Sequence, residues 1–482
     1  MKLLELILLA LLLAVIVSTF ILRPSGFRRL FSLCAAALAV LCILGLGIRL
    51  AMLPAFLLAA ILLASSAAAL RKNKKRAPLV ARLAGMAACV LIYAAACVML
   101  FLMPVIDLPK PSGSYLVGTM LLDFMEPSRS NVFTGEVSDE RIALQIWYPA
   151  TNTEGYPRAF WMDRTAAKLL ASSMELPDIL GQLSRVKTNS CLNAPLSDKQ
   201  ERYPVIVFSG GLGSIMSQNT VQMEELASHG YVVCAVSHPG DDYASVFSDG
   251  TLVVSDGLLT KAQQTETEKA YEETLKLISD IQSPEFQKTF LQKFDRITQA
   301  VHVWSSDLIA AADFLEKLNV DDSSMWKDRL DIEKLGVFGH SFGGAAAGEA
   351  CLRDSRFKAF ANLDGTPFGD TSDNLLSRPF LVMTTGNAGE NTLQTGGYAQ
   401  GQTNYTVIGI NGALHMNFMD FNTVLPRLGK GIGLLGDIDG TRQTQIVNSC
   451  LLTFFNRYVL EHETEVPDAS ISKLPEVTVA IK

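Results

Sequence analysis

The chain is 482 residues long, 49% hydrophobic and 18% charged, with a formal net charge of −7. That average hides a division: the residues before Asp107 hold eleven basic side chains and one acid, Glu5, leaving 30 basic and 47 acidic residues for the remainder. A disordered chain is excluded by the apolar content, a wholly soluble cytoplasmic protein by the basic, apolar N-terminal part, and a nucleic-acid partner for the acidic part by the lack of a basic stripe.

Leu3 to Leu22 is twenty residues with Glu5 as the only charge, and at 1.5 Å per residue it matches the roughly 30 Å hydrocarbon core of a bilayer. Leu30 to Leu70 is apolar apart from Arg49. As one helix it would run to about 60 Å, twice what a bilayer accepts, so it must fold back, and Gly45, Gly47 and Arg49 mark the place. Leu83 to Ile106 supplies a further span. The expectation is an all-α membrane region, residues 1–106, with four transmembrane helices near 3–22, 30–48, 50–70 and 83–106. A cleaved signal peptide over 3–22 is the competing reading, but Glu5 offsets the basic n-region and no small-x-small cleavage site follows.

Cytoplasmic loops collect Lys and Arg. Arg23, Arg28 and Arg29 lie between the first two spans, and Arg71, Lys72, Lys74, Lys75, Arg76 and Arg82 between the last two. Both loops then lie inside, which puts the N-terminus, the Arg49 turn and everything after Ile106 outside the cytoplasm, in a multi-pass cell-membrane protein. The most polar side chains of the spans besides Ser and Thr are Cys34, Cys42, Cys89 and Cys97. With no ionisable pathway to read, the spans are expected to act as an anchor.

A linker over 107–116 carries Pro109, Pro111 and Gly113. Beyond it, 117–462 reads as one α/β domain. Strands are expected at Val117–Phe124, Arg141–Tyr148, Pro204–Phe208, Tyr231–Val236, Leu335–Phe338, Phe357–Leu363, Pro379–Thr384 and Tyr405–Ile410. Helical stretches at Met223–Ser228, Gly343–Cys351 and Gln443–Leu460 alternate with them, the pattern of a doubly wound, mostly parallel sheet. A helical insertion at about 257–320 interrupts the alternation. In it Trp304, Leu308, Ala311, Leu315 and Leu318 repeat at four-three-four-three spacing and form one core-facing stripe. Residues 463–482 read as a polar C-terminal tail. Cys234 and Cys351 read as small buried hydrophobes, and no metal-ligand spacing occurs.

Gly339-His340-Ser341-Phe342-Gly343 has the pattern G-x-S-x-G between a strand and a helix start. Such a turn lifts a serine hydroxyl above the sheet as a nucleophile. A serine needs a histidine base, and among His229, His238, His302, His340, His415 and His462 only His415 lies on the loop directly after the last strand, where this fold carries the base. His462 lies in the polar tail, and His340 points away along the turn. An acid must orient the imidazole, and chain order leaves Asp364, at a strand tip, or Glu390, in the next loop; Asp370 and Asp373 read as exposed loop charges. The developing oxyanion needs N–H donors. One is that of Phe342, and a second is expected from the loop Ser209-Gly-Gly-Leu-Gly213.

Five segments together, Phe208-Ser-Gly-Gly-Leu-Gly213, Ala227-Ser-His-Gly-Tyr231, Gly339-His-Ser-Phe-Gly-Gly344, Asn362-Leu-Asp364 and His415-Met-Asn-Phe418, resemble the successive signatures of the platelet-activating factor acetylhydrolases, the lipoprotein-associated phospholipase group. The resemblance runs in order from about Val117 to Leu460. It implies an α/β-hydrolase fold and calcium-independent cleavage of short or oxidised sn-2 acyl chains from phospholipids, without a cofactor. Carried onto this chain it makes Ser341 the nucleophile, His415 the base and Asp364 the acid, with Leu212 and Phe342 as oxyanion donors. The sequence departs at Gly210-Gly211, where the family commonly has His-Gly, and the resemblance implies nothing about residues 1–106. Ester hydrolases of the dienelactone and polyester-degrading kind share the motif order, so a general carboxylesterase is the alternative, and an inactive membrane sensor a further one. The partner expected is a lipid or small ester at a membrane; oligomeric state is not legible.

Overall fold

The computed structural model describes residues 3–22, 25–46, 49–68, 78–104, 106–130, 135–173, 180–255, 269–276, 280–281 and 283–481. The chain divides into two compact units, Met1–Asp107 with Arg164–Val186, and Leu108–Asp163 with Lys187–Lys482.

The first unit holds helices at Leu3–Val17, continued by a π turn to Leu22, then Ser25–Leu46, Leu53–Ala68 and Leu79–Leu102. Each is apolar on more than one side. Leu8, Leu12, Leu58, Leu62 and Leu100 are buried among the helices, while Leu44, Val80 and Leu91 face outward, the distribution of helices that meet apolar surroundings all round. Among the described residues, Leu3–Phe20, Leu50–Ala68 and Leu79–Leu102 are long and apolar enough to cross a membrane, and Arg29–Leu44 is a shorter apolar stretch. The last helix starts four residues before the expected position, so Arg82 sits inside its first turn and not in the loop before it. Arg23 and the basic run 71–76, which carry the orientation argument, lie outside the described residues.

Arg49 does more than mark a bend. Its guanidinium pairs with Glu5 of the first helix, both side chains being buried, and donates to the Met103 carbonyl at 3.0 Å. An ionised group in apolar surroundings is retained only when paired, which accounts for the single acid of this region. Residues 164–186, not anticipated from sequence as part of this unit, add a helix at Arg164–Ser173 and a 3-10 turn at Leu180–Arg185.

The second unit is built on an eleven-stranded sheet. Its long hairpin, β1 (Leu116–Ser130) and β2 (Val137–Ala150), is followed by β3 (Arg158–Phe160), β4 (Lys187–Leu192), β5 (Tyr203–Ser209) and β6 (Val232–Val236). A separate two-stranded ribbon, β7 (Ala244–Val246) and β8 (Leu252–Val254), precedes β9 (Leu330–His340), β10 (Phe357–Leu363), β11 (Phe380–Thr385), β12 (Tyr405–Ile410) and β13 (Val477–Ile481). The order is β13-β12-β11-β10-β9-β5-β6-β2-β1-β4-β3. From β6 to β12 the neighbours are parallel, and β2 and β13 run antiparallel to them.

Helices cover both faces, which is why the central strands are continuous apolar runs. Trp304, Leu308, Ala311 and Leu315 of the helix Asp295–Val320, with the helix Phe342–Arg353, bury one face. Met223 and Leu226 of Thr220–Ser228, with Ile446, Cys450 and Phe454 of Gly440–Tyr458, bury the other. The expected doubly wound α/β-hydrolase sheet is present, and the stripe from Trp304 faces the core. Residues 256–268 of the insertion lie outside the described residues. The segment read as a polar tail instead supplies β13, because Val477, Val479 and Ile481 are β-branched residues recurring at every second position and the segment pairs along β12. All eight cysteines are free, and Cys191, Cys234, Cys351 and Cys450 are buried.

Candidate active site

β9 ends at His340 and the next helix begins at Phe342, so Ser341 alone makes the turn. It does so at φ 56°, ψ −123°, a conformation a side chain rarely adopts. Its N–H donates to the Leu363 carbonyl at 2.9 Å, which holds the turn against the end of β10. The turn tolerates no side chain at its flanks. A Cβ on Gly339 would stand 2.1 Å from the Gly343 carbonyl oxygen, and one on Gly343 2.1 Å from that of Gly210.

His415 opens a 3-10 turn after β12. Its Nε2 lies 2.9 Å from Ser341 Oγ and its Nδ1 2.6 Å from Asp364 Oδ2. Asp364, just past β10, also has positive φ, 55°. Its N–H donates to the Met383 carbonyl at 2.7 Å, and its Oδ1 accepts from the Thr384 hydroxyl and the Thr385 N–H, both at 3.1 Å. One carboxylate oxygen is thus fixed by β11 and the other is left for the imidazole. Asp364 is buried and His415 is 44% exposed, so the carboxylate is shielded from water while the imidazole is open to it. The two threonines were not identified from sequence.

The other candidates are elsewhere. Glu390 is exposed, and its hydrogen bonds given among the described residues are main-chain ones, the N–H donating to the Asn387 carbonyl at 3.0 Å and the carbonyl accepting from the Thr395 hydroxyl at 2.6 Å. His462 is exposed beyond the last helix. His340 is buried, and burial, then the neighbouring His415, hold its imidazole well below the ordinary histidine range. Its Nδ1 accepts from Gln218 Nε2 at 3.2 Å, and its Nε2 donates to the His415 carbonyl at 3.3 Å. Those partners suit the neutral ring in one tautomer, which supports the main chain of His415 instead of competing for the serine proton.

The glycine loop after β5 lies against the serine. A Cβ on Gly211 would be 3.3 Å from the Ser341 Cβ and 3.2 Å from His340 Nδ1. The Gly211 N–H donates to Gln218 Oε1 at 3.1 Å, and the Ser214 hydroxyl meets the same oxygen. Gln218 therefore joins the loop to His340, a role that no local motif announces. Among the described residues the N–H groups of Leu212 and Phe342 take no part in a turn or loop main-chain hydrogen bond.

Beneath that loop is a second, fully buried serine, histidine and aspartate. Ser209 Oγ lies 2.9 Å from His238 Nε2, and His238 Nδ1 lies 2.8 Å from Asp307 Oδ2. Asp307 in turn receives two hydrogen bonds from Arg129, at 2.9 and 3.0 Å. Burial pushes the Asp307 carboxyl up, but Arg129 and His238 outweigh it and hold it below its ordinary value; burial holds His238 low. With its proton on Nδ1 the ring donates to Asp307 and accepts from Ser209. Trp304 stacks on it with ring centroids 3.8 Å apart and sets its edge against Phe342 at 4.8 Å. With Ser209, His238 and Asp307 all buried, this chain of polar groups braces the loop and the helix start.

A family described as platelet-activating factor acetylhydrolase, isoform II, matches residues 100–476. The platelet-activating factor acetylhydrolase of Cavia porcellus is 26% identical over 369 residues, covering 73% of this chain and 78% of its own. That of Canis lupus familiaris is 25% identical, covering 73% and 77%. A probable 1-alkyl-2-acetylglycerophosphocholine esterase of Arthroderma benhamiae is 22% identical, covering 77% and 92%. Among solved structures, a ferulic acid esterase from Streptomyces cinnamoneus superposes with a TM-score of 0.58 at 21% identity, covering 78% of this chain and 99% of that one, a likeness of fold.

Proposed function

This chain belongs to the platelet-activating factor acetylhydrolase, isoform II, family of ester hydrolases, and from that premise we propose that it is a membrane-anchored serine esterase with Ser341 as nucleophile, His415 as base and Asp364 as acid. The observation that carries the assignment is the unbroken contact from Ser341 Oγ to His415 Nε2, 2.9 Å, and from His415 Nδ1 to Asp364, 2.6 Å. Ser341 Oγ forms a bond to the ester carbonyl carbon as its proton passes to His415 Nε2. The carbonyl oxygen takes the negative charge and is met by the Leu212 and Phe342 N–H groups. Collapse expels the alcohol, which takes the proton back from His415. Water repeats the two steps on the acyl-enzyme and releases the acid.

For substrate, the proposal is a short or oxidised acyl ester of a phospholipid, cleaved without calcium. The family and the printed activities of the relatives support that class. The 47 acids against 30 bases beyond residue 106 disfavour anionic headgroups and leave zwitterionic or neutral esters as the better match. Three N-terminal helices long and apolar enough to cross a bilayer support the anchor, and the basic loops of the sequence support an extracytoplasmic catalytic domain.

The test is fluorophosphonate labelling of the purified full-length protein beside Ser341→Ala, followed by hydrolysis of acetyl, butyryl and long-chain phosphatidylcholine analogues. Labelling is expected in the wild type alone, with activity falling as the sn-2 chain lengthens. Equal labelling of both proteins would remove the nucleophile, and preference for long unoxidised chains would remove the substrate class.

A further inference from the structure

On the side of the nucleophile helix away from Ser341, three side chains from three elements converge. They are His302 of the helix Asp295–Val320, Glu349 of the helix Phe342–Arg353, and Asp370, which opens a short 3-10 turn. One nitrogen and two carboxylate oxygens lie within 4.8 Å of one another. His302 Nε2 is 3.2 Å from Asp370 Oδ1 and 3.5 Å from Glu349 Oε1.

The polar groups of this cluster are only partly satisfied by one another. His302 Nε2 and Glu349 Oε1 are both shut off from solvent, and neither has a hydrogen-bond partner. Glu349 is 0% exposed. Its other oxygen, Oε2, accepts from the Asp370 N–H at 2.8 Å, which fixes the carboxylate plane and turns Oε1 toward the imidazole. A buried carboxylate oxygen without a donor is rare in a native fold and calls for a missing partner. An imidazolium held between two carboxylates would satisfy it with short charge-assisted bonds of about 2.7–2.9 Å. The observed distances are longer, and the ring nitrogen makes no aligned bond to either oxygen.

The two edges at the imidazole fit ligands sharing a metal. With metal–nitrogen and metal–oxygen bonds near 2.0–2.1 Å and tetrahedral angles, neighbouring ligand atoms sit about 3.3–3.4 Å apart; 3.2 and 3.5 Å bracket that value, and the third edge, within 4.8 Å, would close on a shared cation by rotation of the part-exposed Asp370 side chain. One imidazole with two carboxylates suits a borderline cation, whereas magnesium and calcium take all-oxygen shells of six or more. We propose that His302, Glu349 and Asp370 form a structural binding site for a divalent cation of the zinc class, with a water as fourth ligand. His302 and Asp370 are 37% and 48% exposed, which provides entry and room for that water. Arg353 Nη1 donates to the His302 carbonyl at 2.8 Å and holds the backbone at that position.

The cation would tie together the helix that begins after Ser341, the loop that follows Asp364, and the helix that carries Trp304. It lies outside the hydrolytic machinery and takes no part in proton or acyl transfer. Local spacing could not show it, because each ligand comes from a different element.

The full-length protein in detergent, stripped with a chelator and desalted, is titrated with zinc chloride alone beside His302→Ala and Asp370→Asn. Both substitutions are at part-exposed positions. Bound zinc is measured after dialysis, and Tm is read at each step. The wild type is expected to retain one zinc per chain and gain roughly 3–6 °C at a hundredfold excess over Kd, while both variants stay flat. Absence of stoichiometric zinc from the wild type would overturn the site, as would variants that bind and respond as the wild type does. Because zinc content and Tm are read without any ester, the result is independent of the esterase assignment.

Discussion

The nucleophile turn and the glycine loop approach so closely that one methyl group should separate them. A Cβ at Gly343 would stand 2.1 Å from the Gly210 carbonyl oxygen and 2.2 Å from that of Ser209. Carbon and oxygen in contact sit about 3.3–3.6 Å apart, so Gly343→Ala must push helix and loop apart by roughly 1 Å. The loop cannot yield freely, since the Gly211 N–H is held by Gln218 at 3.1 Å and Ser209 by His238 at 2.9 Å. The two segments being parted carry the Leu212 and Phe342 N–H groups. A misplacement of about 1 Å reduces rate by about 10²-fold, and loss of one oxyanion donor by about 10²–10³, or about 2.7–4 kcal/mol. The expected outcome is a kcat lower by roughly 10²–10³ with KM changed much less, because the donors act mainly on the transition state. Hydrolysis of p-nitrophenyl acetate measures it, with Tm confirming a folded protein, since overpacking removes only about 1–3 kcal/mol of stability. Gly431→Ala is the control, having no atom within 4 Å of its added carbon. A folded Gly343→Ala enzyme with kcat within about threefold of wild type would refute both the close approach and the donor role of the loop.

Asp307→Asn should strip Arg129 and His238 of their shared carboxylate and lower unfolding free energy by roughly 3–5 kcal/mol; a loss under about 1 kcal/mol in a denaturant titration would mean that the buried chain carries no stabilising charge. His340 titrates far below 6.5 in the folded protein, so below the unfolded value the unfolded chain binds the extra proton. Stability is then full above about pH 6.5 and falls below it by up to roughly 1.4 kcal/mol per pH unit. His340→Gln should flatten that slope, and a slope that persists unchanged would assign it to other groups, His238 first among them. On intact cells, an impermeant maleimide should label Thr153→Cys and spare Asn73→Cys in a background without Cys34, and the reverse pattern would invert the proposed orientation.

Much of the fold was legible because the central strands are buried on both faces and therefore read as unbroken apolar runs. Phe357–Leu363 and Tyr405–Ile410 fall at the expected bounds. Elements with one exposed face or few residues did not announce themselves: β3 and β4 are short, and β13 lies in a stretch whose polar residues outnumber its apolar ones until Val477. In the site, Ser341 was legible because G-x-S-x-G is a local backbone requirement. Asp364 and Glu390 could not be told apart by composition, since both are acids beyond a strand, and what separates them is that Thr384 and Thr385 turn two donors toward Asp364. Gln218, Ser209, His238 and Asp307 act through contacts far apart in sequence, and no motif records such pairings. Asp370 was read as an exposed loop charge, yet it sits 3.2 Å from His302, a residue 68 positions earlier.

The pairing of β13 with β12 carries a consequence for how the domain is made. β12 leaves the ribosome with its outer row of N–H and C=O groups open, and the strand that covers it, Val477–Ile481, follows only after the helix Gly440–Tyr458 has been translated. At roughly 5–20 residues per second that interval lasts several seconds. Throughout it the naked edge is a template for a neighbouring nascent chain, right beside the loop that brings His415 to the serine. Crowded polysomes would thus be where this domain is most exposed to mispairing, and a slow codon before residue 477 would lengthen the hazard without altering a single amino acid.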